Sequence, residues 1–334
     1  MQRLDWVDNA KAYAIFLVVW GHMADLDPLI KGTLYAFNLP IFLIITGFLN
    51  VSHLQKASVN GFLKSYVFPY IRVYIAFSIA ATIIWYVLEK RHAPLSVIWQ
   101  PIAGALYGVH GRDFLLVHND DPLWYWPFLI TTLTISYALF YVPVALRVAL
   151  IAAYLAFSLY YTGPRLPWGL DTAGVGVLLV HLGGLIRSHI TSYEQLAGKK
   201  DLWALPALLL LVAALYLLNG RTNLNFADFG IYPPVSIINS LLGCAMLMIL
   251  SRHVKVTRAA RLLSQHTLII FCTHIYLVKI AGKALPLPQN WIAAQLMILA
   301  TAIAITAVCA AVSVLFTPFF NRFILLKPAR AKER

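Results

Sequence analysis

Charge is what this chain has least of, and acids are the scarcer half of it. Of its 334 residues 12% are charged, 26 of them Lys or Arg against 13 Asp or Glu. Soluble domains carry about a quarter of their residues as charges, so a water-facing globular fold is excluded. Cysteine is scarce too: Cys244, Cys272 and Cys309 form no CxxC pair and no metal-ligand spacing, which argues against a disulfide framework or a structural zinc site and leaves three packing residues. The first apolar run lacks a small-residue cleavage site, so its helix is expected to be a retained signal anchor. No sequence repeat of the transporter-building kind is visible. What remains is apolar, 60% hydrophobic with a mean hydropathy of +0.75. The expected fold is an all-α, polytopic transmembrane bundle in a single domain, 1–334, without any sizeable soluble part.

Charge-poor runs long enough to cross about 30 Å of hydrocarbon fall near residues 10–28, 33–52, 66–88, 123–143, 147–163, 172–190, 202–219, 233–251, 265–282 and 291–320. Ten spans put both termini on one side. Eighteen of the 26 basic residues share that side with five acids, whereas the other side balances at eight of each. Basic short loops stay in the cytoplasm, so both termini are expected there, and the +13 net charge reads as topology and contact with anionic lipid rather than nucleic acid. Counting Ser96 to Val109 as a further span would reverse everything from Arg147 onward. With Pro101, Gly104 and Gly108 inside it, that segment is expected to be an amphipathic or re-entrant helix on the outer face.

Lys11 and His22 carry the strongest chemical signal. Eleven steps of about 100° make roughly three turns, so both side chains share one helix face about 16 Å apart along the axis. Lys11, with Asp8 one turn below it, also suits a plain orientation signal. His22, in the outer half of an apolar span with Asp25 at i+3, has no such explanation, and an ionisable group inside a membrane is a functional candidate by default. Its structural alternative is a histidine hydrogen-bonded to another helix.

These residues resemble the membrane acyltransferases of the acyltransferase-3 type, in particular the fucose 4-O-acetylase-like branch. Arg3, Asp8 and Lys11 followed by VVWGH ending at His22 match that family's first helix, Arg, then Asp-x-x-Lys/Arg, then Lys/Arg-x10-His. Asn38 to Leu49 matches its Pro-ϕ-Phe-ϕ-ϕ-Ser-Gly-Phe run, with Thr46 in the place of Ser. Lys64 to Tyr70 matches the basic stretch before ProTyr, 122–127 its Leu-Trp-Phe-Leu-Pro, and 263–274 its late run ending in His. There are departures. Val67 stands where a second basic residue is usual, with Arg72 nearby to restore the charge, and Phe271 replaces a usual Tyr, so no catalytic role is assigned there.

The resemblance implies acyl-CoA, most simply acetyl-CoA, as donor and a sugar hydroxyl as acceptor. Attack on a thioester needs a base with a pKa near neutrality, which histidine supplies. His22 is therefore the expected catalytic residue, either taking the proton directly or carrying the acyl group as an acyl-imidazole. Lys11, Lys64 and Arg72 are expected to bind the CoA phosphates, with Asp8 supporting Lys11; snorkelling anchors are the alternative for the three cations. Asp25, Trp124 and His274 are expected around the acceptor. His274 lies at His22's depth, about 14 Å above Gln265, with a core histidine bonded to Thr273 or a neighbouring helix as its alternative, and Trp124 suits either sugar stacking or an interfacial belt. Asp120 and Asp121 could accept hydrogen bonds from sugar hydroxyls. His181 matches no motif and is expected to pack.

The expected protein is thus an O-acetylase of a cell-envelope polysaccharide or lipid-linked sugar, in the plasma (bacterial inner) membrane, with no metal. Its rival is a proton-coupled transporter or flippase of a sugar-containing substrate, with His22 and His274 as a relay. The enzyme is favoured because no helix is expected to bury a carboxylate.

Overall fold

The computed structural model describes residues 4–88, 94–109, 122–196 and 199–325. Among these the chain forms α1 (Asp5–Gly21), α2 (Pro28–Tyr35), α3 (Pro40–Lys56), the single turn α4 (Val59–Phe62), α5 (Phe68–Leu88), α6 (Trp99–Tyr107), α7 (Tyr125–Leu139), α8 (Val144–Tyr160), α9 (Ala173–Leu196), α10 (Ala204–Asn219), α11 (Pro233–His253), α12 (Arg258–Ala284) and α13 (Trp291–Phe319). No β-strand occurs among the described residues, so the all-α expectation holds.

Seven helical stretches are long and apolar enough to cross a membrane: Pro28–Lys56, Val59–Val87, Pro167–His189, Asp201–Asn219, Pro233–His253, Arg258–Ala284 and Trp291–Ile324. They coincide with seven of the ten expected spans. The other three correspond to α1, α7 and α8, of 17, 15 and 17 residues, shorter than the roughly 20 a bilayer crossing needs. Both α1 and α7 lie largely inside the bundle. Lipid-facing stripes are legible on the longer helices: Ile75, Ile79, Ile83 and Val87 are exposed on α5 at the four-residue spacing that keeps side chains on one face.

The first helix departs from its expected 10–28. It starts at Asp5 and stops at Gly21, because the chain turns at Asp25, whose φ is +57°, and restarts at Pro28. Asp27 caps the new helix, its Oδ1 accepting from the Leu29 N–H at 2.9 Å and the Ile30 N–H at 3.3 Å, with Pro28 at the first helical position. His22 consequently sits at the end of α1 and not within a span. Another break, at Ala36–Leu39, divides the expected 33–52 helix, since Pro40 opens α3 without an N–H to give the preceding turn. Ser96 to Val109 behaves as expected of a non-spanning segment: α6 has nine residues and ends on Gly108 at φ +69°.

Two helix pairs form the centre. α3 and α9 approach closely because Gly47 and Gly183 leave their backbones bare. A Cβ on Gly47 would stand 1.9 Å from the Val180 carbonyl oxygen, and one on Gly183 2.0 Å from that of Ile44. Small residues at such crossings are how helices pack in lipid, and Arg187 over the Phe48 ring, 5.1 Å from its centroid, adds a cation–π contact to the pair. The second pair, α1 and α12, carries the polar chemistry.

Candidate active site

At the start of α1, Asp8, Asn9 and Asp5 tie the helix to its neighbours. Asp8 Oδ1 accepts from the Ser264 hydroxyl of α12 at 2.6 Å, Asn9 Nδ2 donates to the Ser251 and Val254 carbonyls at 3.0 and 2.7 Å, and Asp5 pairs with Arg261 at 3.2 Å. Asp8 is buried, which corrects the expectation that no helix buries a carboxylate. It sits in the first turn, as expected, but the α12 hydroxyl supplies the hydrogen bond that lets it leave water. The distinction from a proton-coupled carrier therefore cannot rest on that ground.

At the far end of the same pair, the ring of His22 meets that of His274, centroids 5.0 Å apart and planes at 71°. Tyr35 lies 6.0 Å from His22 on another side. His22 Nδ1 is 2.7 Å from the Val18 carbonyl oxygen. A carbonyl only accepts, so Nδ1 carries the hydrogen and the lone pair of the neutral ring is on Nε2. The backbone of α1 thus fixes the tautomer that a general base requires, as an orienting carboxylate does in a catalytic triad. His274 is fixed in the same way. Its Nδ1 donates to the Ile270 and Phe271 carbonyls at 3.1 and 2.9 Å, and its buried Nε2 has no hydrogen-bond partner among the described residues. A buried acceptor left unsatisfied costs about 1–3 kcal/mol. The groups that would satisfy it are N–H or O–H donors.

His22 faces a cavity of about 500 Å³, within the range of small-molecule sites. Trp124, Phe226, Phe229 and Phe271 supply its aromatic wall, and Tyr35, Asn38 and Ser240 supply hydrogen-bonding groups. Of the residues singled out in the sequence, Trp124 shares this cavity with His22, and His274 meets His22 ring to ring. Asp25 is exposed in the turn after α1, where its carbonyl accepts from Gln295 Nε2 at 3.2 Å, and it is absent from the described cavity wall. Lys11 is half-buried on α1. Lys64 is exposed on the π-helical Leu63–Val67 turn, and Arg72 is half-buried on α5 with its Nε buried and unpaired among the described residues. None of these three lines the His22 cavity. Asp120 and Asp121 lie outside the described residues. His181 packs as expected, its ring 4.6 Å from that of Phe140. Among the described residues no three His, Cys, Asp or Glu side chains converge as metal ligands.

Several cavity residues escaped the sequence reading: Lys31, Tyr35, Asn38, Arg221, Lys279 and Lys283. Asn38 opens the Asn38 to Leu49 run, whose resemblance rests on its Pro-Phe pattern and not on this amide. The four cations come from three separate segments, which only the fold joins.

No curated protein and no solved structure matches the chain. A family profile does: the acyltransferase domain of the acyltransferase-3 family matches residues 4–317. With the histidine pair, its cavity and every membrane-crossing helix but the end of the last inside that stretch, the chain belongs to the acyltransferase-3 family and is a membrane acyltransferase.

Proposed function

We propose that the protein transfers an acetyl group from acetyl-CoA to a hydroxyl of a cell-envelope polysaccharide or lipid-linked sugar, with His22 as the base. The observation that carries this reading is the Val18 carbonyl on His22 Nδ1, which leaves Nε2 as the proton acceptor on the wall of a cavity sized for a sugar. The acceptor hydroxyl gives its proton to Nε2 as its oxygen attacks the thioester carbonyl. The tetrahedral intermediate then collapses, the C–S bond breaks, and the imidazolium returns the proton to the departing sulfur, giving CoA and the ester. In the two-stage variant the same Nε2 attacks the thioester, the C–S bond breaks and CoA leaves as its thiolate; the sugar hydroxyl then attacks the acetyl-imidazole, the C–N bond breaks, and the hydroxyl proton passes to the freed Nε2. His274, whose ring meets that of His22 edge-on, holds the imidazole in place, a positioning role.

Lys11, Lys64 and Arg72 form the proposed donor side, with Asp8 holding α1 in place through Ser264. Both termini are assigned to the cytoplasm of a bacterial inner membrane, on the strength of the basic-residue asymmetry. The test is purified protein with labelled acetyl-CoA, with and without membrane glycolipid. Glycolipid-dependent release of CoA and label in the glycolipid are expected. Glycolipid transport across vesicles without CoA release would establish a carrier instead. In intact cells a cysteine replacing Asp228 should react with an impermeant thiol reagent and one replacing Lys64 should not; the opposite pattern would move the donor to the other face.

A further inference from the structure

We propose that the His22 cavity recognises its acceptor through an anionic group, a phosphate or carboxylate carried beside the reacting sugar. This deepens the acyl-transfer reading and rests on it. Counted along the sequence, the segments assigned to the side opposite the termini carry eight basic and eight acidic residues, and among the described ones that balance conceals a segregation. Lys31, Arg221, Lys279 and Lys283 all line the cavity, against Asp228 as the acid among the described lining residues.

The other described acids of that face lie off the cavity wall. Asp27 caps α2, Asp171 is buried against the Arg165 guanidinium, and Asp25 lies exposed in the turn after α1. Asp228 itself accepts from the Gly230 N–H at 3.1 Å, holding its own loop. Arg221 and Lys283 make no ion pair among the described residues. Like charges gathered in a partly enclosed, low-dielectric chamber repel one another and focus a positive potential into it, and an entering anion relieves both effects.

Asn38 gives an independent pointer. It is 2% exposed and lines the cavity beside His22, and its amide makes no hydrogen bond among the described residues. Buried amides are ordinarily bonded, so this one is placed for a polar ligand. Ser240, also buried on the wall, is in the same position. The loop that carries Arg221 is built and held. Asn219 Nδ2 donates to the Phe229 carbonyl at 2.9 Å, Asn223 bridges to Asp228, and Arg165 donates to the Asn225 carbonyl. Arginine so positioned suits bidentate contact with an oxyanion. The donor's phosphates are a poorer match, because the pantetheine arm separates them from the thioester, whereas here the cations and His22 share one chamber.

The test uses the full-length protein in nanodiscs of neutral lipid and measures calorimetric binding of glucose, glucose 1-phosphate, glucuronate and CoA. Glucose 1-phosphate or glucuronate should bind at concentrations where glucose does not. Combined Arg221→Gln and Lys283→Gln should weaken that binding by about tenfold or more, the loss of charge-assisted contacts, while CoA affinity holds. Lys283→Arg on the wild-type background should keep it. Tighter binding of glucose 1-phosphate points to a diphosphate-linked carrier sugar, and tighter binding of glucuronate to an acidic sugar within the glycan. Equal binding of neutral glucose, an unchanged affinity in the double variant, or a matching loss of CoA binding would each overturn the proposal. Because binding is read without turnover, these outcomes are separate from failure of the acyl-transfer reading, which is read by CoA release.

Discussion

The two ends of the α1–α12 pair use polar residues in opposite ways. At the Asp8 end, side chains cross to fixed partners: a carboxylate to a hydroxyl, an amide to two carbonyls, an acid to an arginine. At the His22 end, each ring gives its Nδ1 hydrogen to a carbonyl of its own helix, and the buried Nε2 of His274 has no hydrogen-bond partner among the described residues. Asn38 and Ser240 likewise face a cavity instead of a partner. In a membrane, polar groups without partners are costly. Where the protein satisfies them they act as clasps, and where it leaves them exposed to a cavity they are kept for a ligand. The comparison therefore predicts that mutations divide by end, the Asp8 end governing stability and the His22 end governing rate.

The largest effect is expected at His22. His22→Ala and His22→Gln should each lose about a hundredfold or more in acetyl transfer, the share of a general base, with thermal stability near wild type. Glutamine keeps a donor and an acceptor but cannot exchange a proton near neutrality, so it separates chemistry from hydrogen bonding. If glutamine retains more than about a tenth of the turnover, a loss far below a general base's share, while alanine unfolds the protein, then the His22 end is a clasp too and the comparison fails.

Next in size is Lys11→Ala. Loss of a charge-assisted phosphate contact costs about 1.5–3 kcal/mol, so the apparent KM for acetyl-CoA should rise at least about tenfold with the acceptor KM unmoved. An unchanged donor KM in folded protein would return Lys11 to an orientation signal.

Much of this architecture is legible in the sequence because lipid imposes length and hydropathy on each span. Seven of the expected spans answer to membrane-length helices. The meeting of His22 and His274 follows from counting rise along two helices that run the same way. What escapes are features that hydropathy does not register. A hydropathy window reads residues 10–28 as one stretch, whereas the backbone turns at Asp25 and restarts at the Asp27 cap and Pro28. Arg221, Lys31 and the pair Lys279 and Lys283 lie far apart in sequence, where charge counting treats them as part of a neutral face; their convergence depends on how α2, α12 and the loop before α11 pack.

A smaller change in rate is expected from His274→Leu, which fills similar space and removes the unsatisfied Nε2. Stability should hold or rise, since a buried orphan acceptor is gone. Acetyl transfer should fall about tenfold, ~1.4 kcal/mol of barrier, as the His22 ring loses the neighbour that positions it. The pH–rate profile should shift with it, a readout that a merely packing histidine would not move. Unchanged rate and profile would confine the site to His22 alone.

The smallest effect on rate, and the most direct check on the division between ends, belongs to Asn9→Ala. Its Nδ2 makes two hydrogen bonds that join α1 to the turn between α11 and α12, while its Oδ1 is buried without a partner among the described residues. Removing the amide loses the two bonds but also relieves that unsatisfied oxygen, so the net cost should be only ~1 kcal/mol of stability. The thermal midpoint should fall slightly, and kcat per folded molecule should match wild type, because nothing at the His22 end is altered. A loss of kcat with an unchanged midpoint would mean that the register of α1, set at the Asp8 end, is transmitted to the ring of His22 some 13 residues away, and the two ends would then have to be treated as one device.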